Sequence, residues 1–406
     1  PLPTASLQVP EYVQLYQQCR RMELFNSVQT QTFSALFESD DNVLVCAPSG
    51  NDKIVCAEVA MMRTFSLNPA ARCVYVCALT DICEQRFTQW RLMFGAGGLG
   101  KQIVMLTGDT ESDTALMQNS HIVVCDCDAW DLISRRWKQR KLVNEISLLI
   151  VDELHMIGGQ KGPTLETIVA RTRIMEAHFK RKIRVIGLSS PVVNAKDLGN
   201  WMGAKKSRLF AFGMSVRQIP LKLSCIAFQE NNFAARMVSM SKPAYNAIAS
   251  TPASPSERSI IFVNSRQQAA LVALDMMAFC AADTDPSRFV GDEKVVQLTI
   301  SQSVANRALA ATLDCGIGFI HEAQSHADRD IVRQLYQDGA IKLLVVARSQ
   351  LWKMSSFSAT NVVIMGCSYY DGREHRYVKY PITDVLEMIG RAGQVNIEDN
   401  ASCTIM

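Results

Sequence analysis

The sequence predicts an α/β fold in two tandem domains, each a parallel sheet flanked by helices. Three observations lead there. The chain has 406 residues, too many for one hydrophobic core and suited to two domains of about 200 residues each. Short apolar runs alternate with amphipathic segments, and the runs are apolar on both faces, as strands buried inside a parallel sheet are. One early run passes through a glycine-containing loop into a helical stretch, and sheets of this kind carry their sites at the C-terminal ends of strands.

Composition narrows the class. With 48% hydrophobic and 20% charged residues the chain is a folded protein well supplied with buried material, not a disordered one. Its net charge of +3 excludes a basic polyelectrolyte, so any nucleic-acid contact must come from local patches. The 13 cysteines are scattered through apolar runs with no C-x-x-C pair and read as buried free thiols of a reducing compartment. Six dispersed histidines argue against zinc, and in Cys125-Asp126-Cys127-Asp128 alternate residues of a strand end point to opposite faces. No signal peptide is read at the start, and no apolar run reaches the length of a membrane span, so no membrane contact is expected.

Residues 1–24 are polar and partly helical, and they lead into Phe25-Asn26-Ser27-Val28-Gln29-Thr30-Gln31. The amide of Gln31 offers the donor and acceptor that an adenine edge requires. Strands are expected at Val43–Ala47, Cys73–Cys77, Ile103–Leu106, Ile122–Cys125, Leu148–Val151 and Arg184–Leu188. Helical spacing falls on Ala57–Phe65, Asp81–Phe94, Ala129–Trp137 and Leu165–Phe179. The pattern breaks around Arg208–Leu223, which places the first domain at residues 1–214 and the second at 215–406. In the second, strands are expected at Ser259–Val263, Gly318–Ile320, Lys342–Val346 and Val362–Met365, with loops at Thr251–Glu257 and Asp283–Asp292.

Two stretches carry chemistry. The first is Cys46-Ala47-Pro48-Ser49-Gly50-Asn51-Asp52-Lys53-Ile54, set between an apolar run and a helix. A phosphate-binding loop reads G-x-x-x-x-G-K-[ST], where glycine admits phosphate to the backbone amides, lysine meets the terminal phosphates and the hydroxyl holds Mg²⁺. Here Ser49, Gly50, Asn51, Asp52, Lys53 and Ile54 fill the loop. Asp52 stands for the second glycine and Ile54 for the hydroxyl residue. A like-charge contact at about 4 Å costs on the order of 4 kcal/mol at an effective dielectric near 20. From this stretch alone, an ordinary strand-turn-helix fits as well as a decayed phosphate loop. The second stretch, Ile150-Val151-Asp152-Glu153-Leu154-His155, is an apolar strand ending in two acids. That is what a nucleotide hydrolase needs: one carboxylate to hold Mg²⁺ through water, the next to orient and deprotonate the attacking water.

In order and spacing these pieces resemble the superfamily-two helicases, and within them the Ski-two-like DExH-box RNA helicases. Phe25–Gln31 is similar to the group's Q-type motif, Asp152–His155 to its DExH box, and Leu188-Ser189-Ser190 to its Ser-Ala-Thr motif. Ile261–Arg266 is similar to the Phe-Val-x-Ser-Arg segment, and Gln394 ends a Met-Ile-Gly-Arg-Ala-Gly run like the last motif. Ser134–Lys141, His155–Gly159 and Ser239–Pro243 resemble the second cassette of spliceosomal double-cassette helicases.

The resemblance implies two RecA-like domains with a nucleotide cleft between them, and it assigns Asp152, Glu153 and Arg391 to catalysis. The departures from the pattern fall on those functions. Besides Asp52 and Ile54, Cys125–Ala129 puts acids where the family presents hydroxyls to RNA, and Lys353-Met354-Ser355-Ser356 lacks a close-approach glycine. The final motif has Glu387 for Gln and Gln394 for the arginine finger, and a neutral amide cannot stabilise the transferring charge. The expectation is a degenerate cassette in which Asp152, Glu153 and Arg391 are vestigial, ATP or ADP binds weakly and Mg²⁺ is not held. The implied partners are the first cassette of the same polypeptide and other spliceosomal proteins in the nucleus, with weak or indirect small nuclear RNA contact. The alternative is an active ATP-dependent cassette resting on Lys53, Asp152, Glu153 and Arg391. The basic run Arg135–Lys141 is the one local candidate for RNA contact, against a solvated helix end anchored by Trp137.

Overall fold

A row of short strands without polar side chains must be covered on both faces, and the helices between them do this. The structure, a computed structural model, describes residues 1–50, 52–249, 257–304, 306–354, 357–393 and 400–406. The chain divides into two units, Pro1–Gln218 and Ile219–Met406, a division just past Met214.

The first unit begins with helices α1 (Pro10–Arg20) and α2 (Ser27–Phe37), before β1 (Val43–Cys46) and α3 (Ile54–Leu67). Next come β2 (Arg72–Cys77), α4 (Thr80–Met93), β3 (Ile103–Met105), α5 (Thr110–Met117) and β4 (Ile122–Asp126). Then α6 (Cys127–Ser134), α7 (Lys141–Asn144), β5 (Ile146–Asp152), α8 (Gly162–Phe179), β6 (Arg184–Ser189), α9 (Ala195–Met202) and β7 (Leu209–Ala211) complete it. The seven strands form one sheet in the order β3-β4-β2-β5-β6-β1-β7, parallel throughout. Every residue of β1, β2 and β6 is buried. Register then fixes the site: Cys46 pairs with Ser189 and Cys77 with Asp152, so the loops after β1, β2, β5 and β6 leave from one edge.

Two contacts bind the helices to this sheet. Arg72, buried at the start of β2, donates to the carbonyls of Met117, Ser120 and Leu142 at 3.0, 3.2 and 2.9 Å, tying the ends of α5 and α7 to the strand. At Gly187 a Cβ would stand 2.7 Å from Met202 Cε and 3.0 Å from Leu44 Cδ1, so glycine is what lets α9 close over β6.

The second unit contains β8 (Leu221–Cys225), α10 (Phe233–Ala249), β9 (Ser259–Val263), α11 (Arg266–Ala282), α12 (Glu293–Ser303) and α13 (Arg307–Asp314). It continues with β10 (Ile317–Ile320), α14 (His326–Gln337), β11 (Leu343–Ala347), β12 (Asn361–Ile364), the hairpin β13 (Ser368–Asp371) and β14 (Arg376–Lys379), α15 (Ile382–Gly390) and β15 (Ala401–Ile405). Six strands in the order β10-β11-β9-β12-β15-β8 make a second parallel sheet.

The expected strands are present, with ends shifted by a residue or two. Strands β7, β8, β13, β14 and β15, helices α2, α5, α7 and α9, and the helices of the second unit lie outside the expected set. Strand β8 is an edge strand whose residues are half-buried or exposed, so it lacks the continuous apolar run that marks its neighbours. Asp283–Asp292 holds turns and one bridge, Val290 to Ile341. In the other expected loop, residues 251–256 lie outside the described residues.

Asp41 joins three segments at the sheet's N-terminal edge. It accepts from Lys205 at 2.9 Å and Arg208 at 3.0 Å, and those bonds hold its carboxyl well below the usual range. A depressed carboxylate stabilises the fold above its unfolded pKa, about 4, and that contribution is lost as pH falls through the lower folded value. Asp41→Asn should therefore lower the melting temperature by a few degrees at pH 7. The deficit should shrink progressively as calorimetric scans are taken from pH 5 toward pH 2.

Candidate functional site

Strand β1 ends where the loop begins, and Ala47 N–H donates to Ser189 O at 3.0 Å, continuing the ladder. Gly50 has φ 88° and Asp52 φ 48°, both in the left-handed region. Such a backbone costs most side chains about 1–2 kcal/mol, and Asp is among the few that adopt it. The loop therefore keeps the turn that glycine normally serves, while carrying a carboxylate. Asn51 lies outside the described residues.

The Asp52 carboxylate does not pair with Lys53. Arg20, at the end of α1, binds it at 2.8 Å and binds Glu58 of α3 at 2.5 Å. Glu58 has no exposed surface and also accepts from Trp90 Nε1 at 2.9 Å and Tyr16 Oη at 3.4 Å. Burial alone would lower Arg20, but Glu58 and Asp52 outweigh it and raise it. Lys53 instead donates to Ser190 Oγ at 3.4 Å. Ser49 O accepts from Arg217 at 3.3 Å. The Ile54 side chain is 3% exposed and supplies no ligand oxygen where the loop pattern has a hydroxyl.

Gln31 needs correcting. It is exposed on α2, whereas Gln29 is 3% exposed and its Nε2 donates to Asp52 O at 3.4 Å. The amide beside the loop is thus two positions earlier. Its signal was in the sequence: Asn26 and Gln29 form a reciprocal capping box, at the N-cap and N3 spacing that such boxes require.

The acidic pair sits at the end of β5. Asp152 is 4% exposed; one oxygen accepts from Tyr75 Oη at 2.6 Å and the other from the Glu153 N–H at 2.8 Å. Burial, and then the Asp152 charge, push the Tyr75 phenol well above its ordinary range, so the hydroxyl keeps its proton and donates it. Glu153 has φ 50°, and its carboxylate lies 3.3 Å from His155 Nδ1. That nitrogen accepts from Ser190 N–H at 3.2 Å, so it carries the lone pair rather than a proton. A polar chain thus runs from Lys53 through Ser190 to His155, and the Glu153 carboxylate lies beside that nitrogen with no proton between them. These contacts join the loop, the acidic box and the end of β6.

Arg86 of α4 was also not anticipated. Burial would lower it, but Tyr75, Asp152, Asp52 and Glu58 raise it, and its Nη1 donates to Gln89 Oε1 at 2.6 Å. Around the loop and the acidic box, four cations, Lys53, Arg20, Arg86 and Arg217, stand with four carboxylates, Asp52, Glu58, Asp152 and Glu153. The Asp52 carboxylate and the missing hydroxyl at Ile54 are where the loop departs from what a nucleotide and its Mg²⁺ require.

Arg391 lies in the second unit, just after α15. It is 7% exposed and ion-paired with the equally buried Glu387, so the acid in place of the expected Gln engages the guanidinium. Gln394, Ser355 and Ser356 lie outside the described residues, and Met354 is fully buried.

The acids expected to repel RNA have local structural roles. Asp126 caps α6 by accepting from Ala129 N–H at 2.8 Å, and Asp128 pairs with Lys161. In the basic run, Arg135 binds Asp131, Arg140 donates to Ile133 O, and Trp137 is 9% exposed against His178 and Phe179. These contacts favour the anchored reading of that run.

Comparison with known proteins places these residues in context. Residues 26–198 match the family model described as DEAD/DEAH box helicase. The whole chain is 40% identical to part of the human U5 small nuclear ribonucleoprotein 200 kDa helicase, covering 19% of it. It is 41% identical to the Arabidopsis thaliana DExH-box ATP-dependent RNA helicase DExH12, covering all of this chain and 18% of that one. Subunit 3 of the chicken activating signal cointegrator 1 complex is 38% identical, again over the full chain and 18% of the relative. The chain thus spans about a fifth of the length of these relatives. The solved structure of the helicase MrfA bound to DNA and AMPPNP superposes with a TM-score of 0.68 at 13% identity, over 97% of this chain and 49% of that one. That likeness shows the fold: two RecA-like units.

The Asp52 carboxylate acts on nucleotide in the ground state, so removing it should be felt in binding. Asp52→Gly should raise ADP affinity by about tenfold, or about 1.4 kcal/mol, measured by titration calorimetry. An unchanged affinity would mean that the loop excludes nucleotide for another reason.

Proposed function

The chain carries a DEAD/DEAH box helicase domain, and on that premise we propose that it is a degenerate cassette of a nuclear, spliceosomal RNA helicase, serving as a regulatory and protein-interaction platform. The observation that carries this reading is Asp52. It occupies a glycine-type turn of the phosphate loop, and Arg20 fastens it there.

The chemistry follows from the residues. Hydrolysis needs a carboxylate that keeps a metal in place, and of its requirements Asp152, anchored by Tyr75 and by the backbone of Glu153, is the part still present. The reaction needs a hydroxyl after the lysine, where Ile54 is buried in the core. It also needs a guanidinium for the transferring charge, where the sequence has Gln394, and the remaining Arg391 is bound to Glu387. A missing finger alone costs roughly a thousandfold or more. ATP or ADP binding is accordingly weak and Mg²⁺ is not retained. Small nuclear RNA contact is weak or indirect, since carboxylates in place of hydroxyls donate no hydrogen bonds to phosphate. The partners are the companion first cassette and other splicing proteins, as the similarity to the U5 helicase suggests.

One arrangement favours the alternative, an active ATP-dependent RNA helicase cassette. Lys53 reaches Ser190 and Ser190 reaches His155, so the loop lysine, the end of β6 and the acidic box remain linked.

RNA-stimulated ATP hydrolysis separates the two. The protein and its Glu153→Gln variant should give the same background rate, with and without RNA and Mg²⁺. Turnover that RNA stimulates and Glu153→Gln abolishes would establish the active reading instead.

A further inference from the structure

Parallel strands have two ends, and the one opposite the loop carries its own concentration of charge. Lys180, Arg181 and Lys182 precede β6, while Lys205, Lys206 and Arg208 precede β7. Strand β1 lies between those two strands, so both groups converge on one edge of the first unit. Five of the six are exposed, and Arg208 is half-buried. The carboxylates beside them are Glu38, Asp40 and Asp41, which precede β1.

Beneath them lies Arg184, 5% exposed. It donates to Asp41 O at 3.0 Å and Ala35 O at 2.9 Å; no carboxylate touches it, and its Nη1 has no hydrogen-bond partner. With Arg63 on Asp40 and Glu145 between the two acceptors of Arg181 included, eight cations and four carboxylates give this edge an excess of four positive charges, against +3 for the whole chain. The remainder of the molecule is close to neutral.

The pattern is held in place. Lys205 and Arg208 are fixed on Asp41, and Arg181 donates to Ile146 O at 3.0 Å and to Asn144 O. Lys180 and Lys206 have no ion-pair partner among the described residues and point their charge to solvent.

We propose that this edge docks an acidic segment of a protein partner. The inference rests on the reading of the chain as an interaction platform and names the surface and the chemistry of its partner. A peptide suits the edge better than RNA because the field is mixed. A phosphate backbone sets a charge at every nucleotide and would bring some of them against Asp40 and Asp41, whereas a peptide can place acids over the lysines and neutral or basic residues over the carboxylates.

The test uses the intact chain, without nucleotide, and a labelled poly-glutamate peptide as the probe. At low salt the peptide should bind and should weaken as salt rises. The Lys180→Glu/Lys206→Glu variant should lose about tenfold in affinity. Lys138→Glu, on the Trp137 segment, should change little. An unaltered melting temperature will show that the double variant is folded, as expected for two exposed, unpaired side chains. Failure of the peptide to bind, or equal affinity for the double variant, would overturn the proposal. So would a single-stranded RNA that binds more tightly than the peptide and is lost in the same variant, since the edge would then be a nucleic-acid surface. With nucleotide absent, failure here leaves the reading of the loop intact, and hydrolysis by the chain would leave this edge intact.

Discussion

Glu58 is a carboxylate with no surface in water, and the neighbourhood of the phosphate loop is arranged around that fact. A buried charge must be paired and hydrogen-bonded or it neutralises itself. Arg20, Trp90 and Tyr16 satisfy it, drawing α1 and α4 onto α3. Once Arg20 is fixed on Glu58, its other arm is in place for whatever the loop presents. In this chain the loop presents Asp52. The loop's condition is thus set from below, by a group that touches no ligand.

Much of the fold was legible because parallel strands leave a dense apolar trace. Val43–Cys46 and Ser259–Val263 could hardly be read otherwise. Strand β8 was hidden because an edge strand in partial contact with water alternates too little and exposes too much. The acidic box was legible for a related reason: Asp152 follows a continuous buried run, so the strand's end marks it. Sequence order could not show that Tyr75, two strand positions from the end of β2, would cap that carboxylate, since this depends on the register of β2 against β5.

Charge was the least legible property. Asp126 and Asp128 read as repulsive because their partners, Ala129 N–H and Lys161, become neighbours only once a helix starts and a loop returns. Arg20 lies 32 residues from Asp52, and nothing in its surroundings marks it as a partner. Gln29 and Gln31 carry the same amide two residues apart, and only the capping box with Asn26 distinguishes them. In each case the side chain's role was decided by what the backbone brought to it.

The left-handed turn at Asp52 has a genetic side. Every aspartate codon becomes a glycine codon by one base change, and every isoleucine codon becomes a threonine codon likewise. The backbone at residue 52 already has the φ that glycine takes there, so the first change would require no rebuilding of the loop. Position 54 is harder, because the Ile54 side chain is buried and a hydroxyl there would need a partner. Shape and chemistry are therefore set separately in this loop: its path through space does not require glycine at 52, and its turn and its ligand chemistry answer to different kinds of mutation.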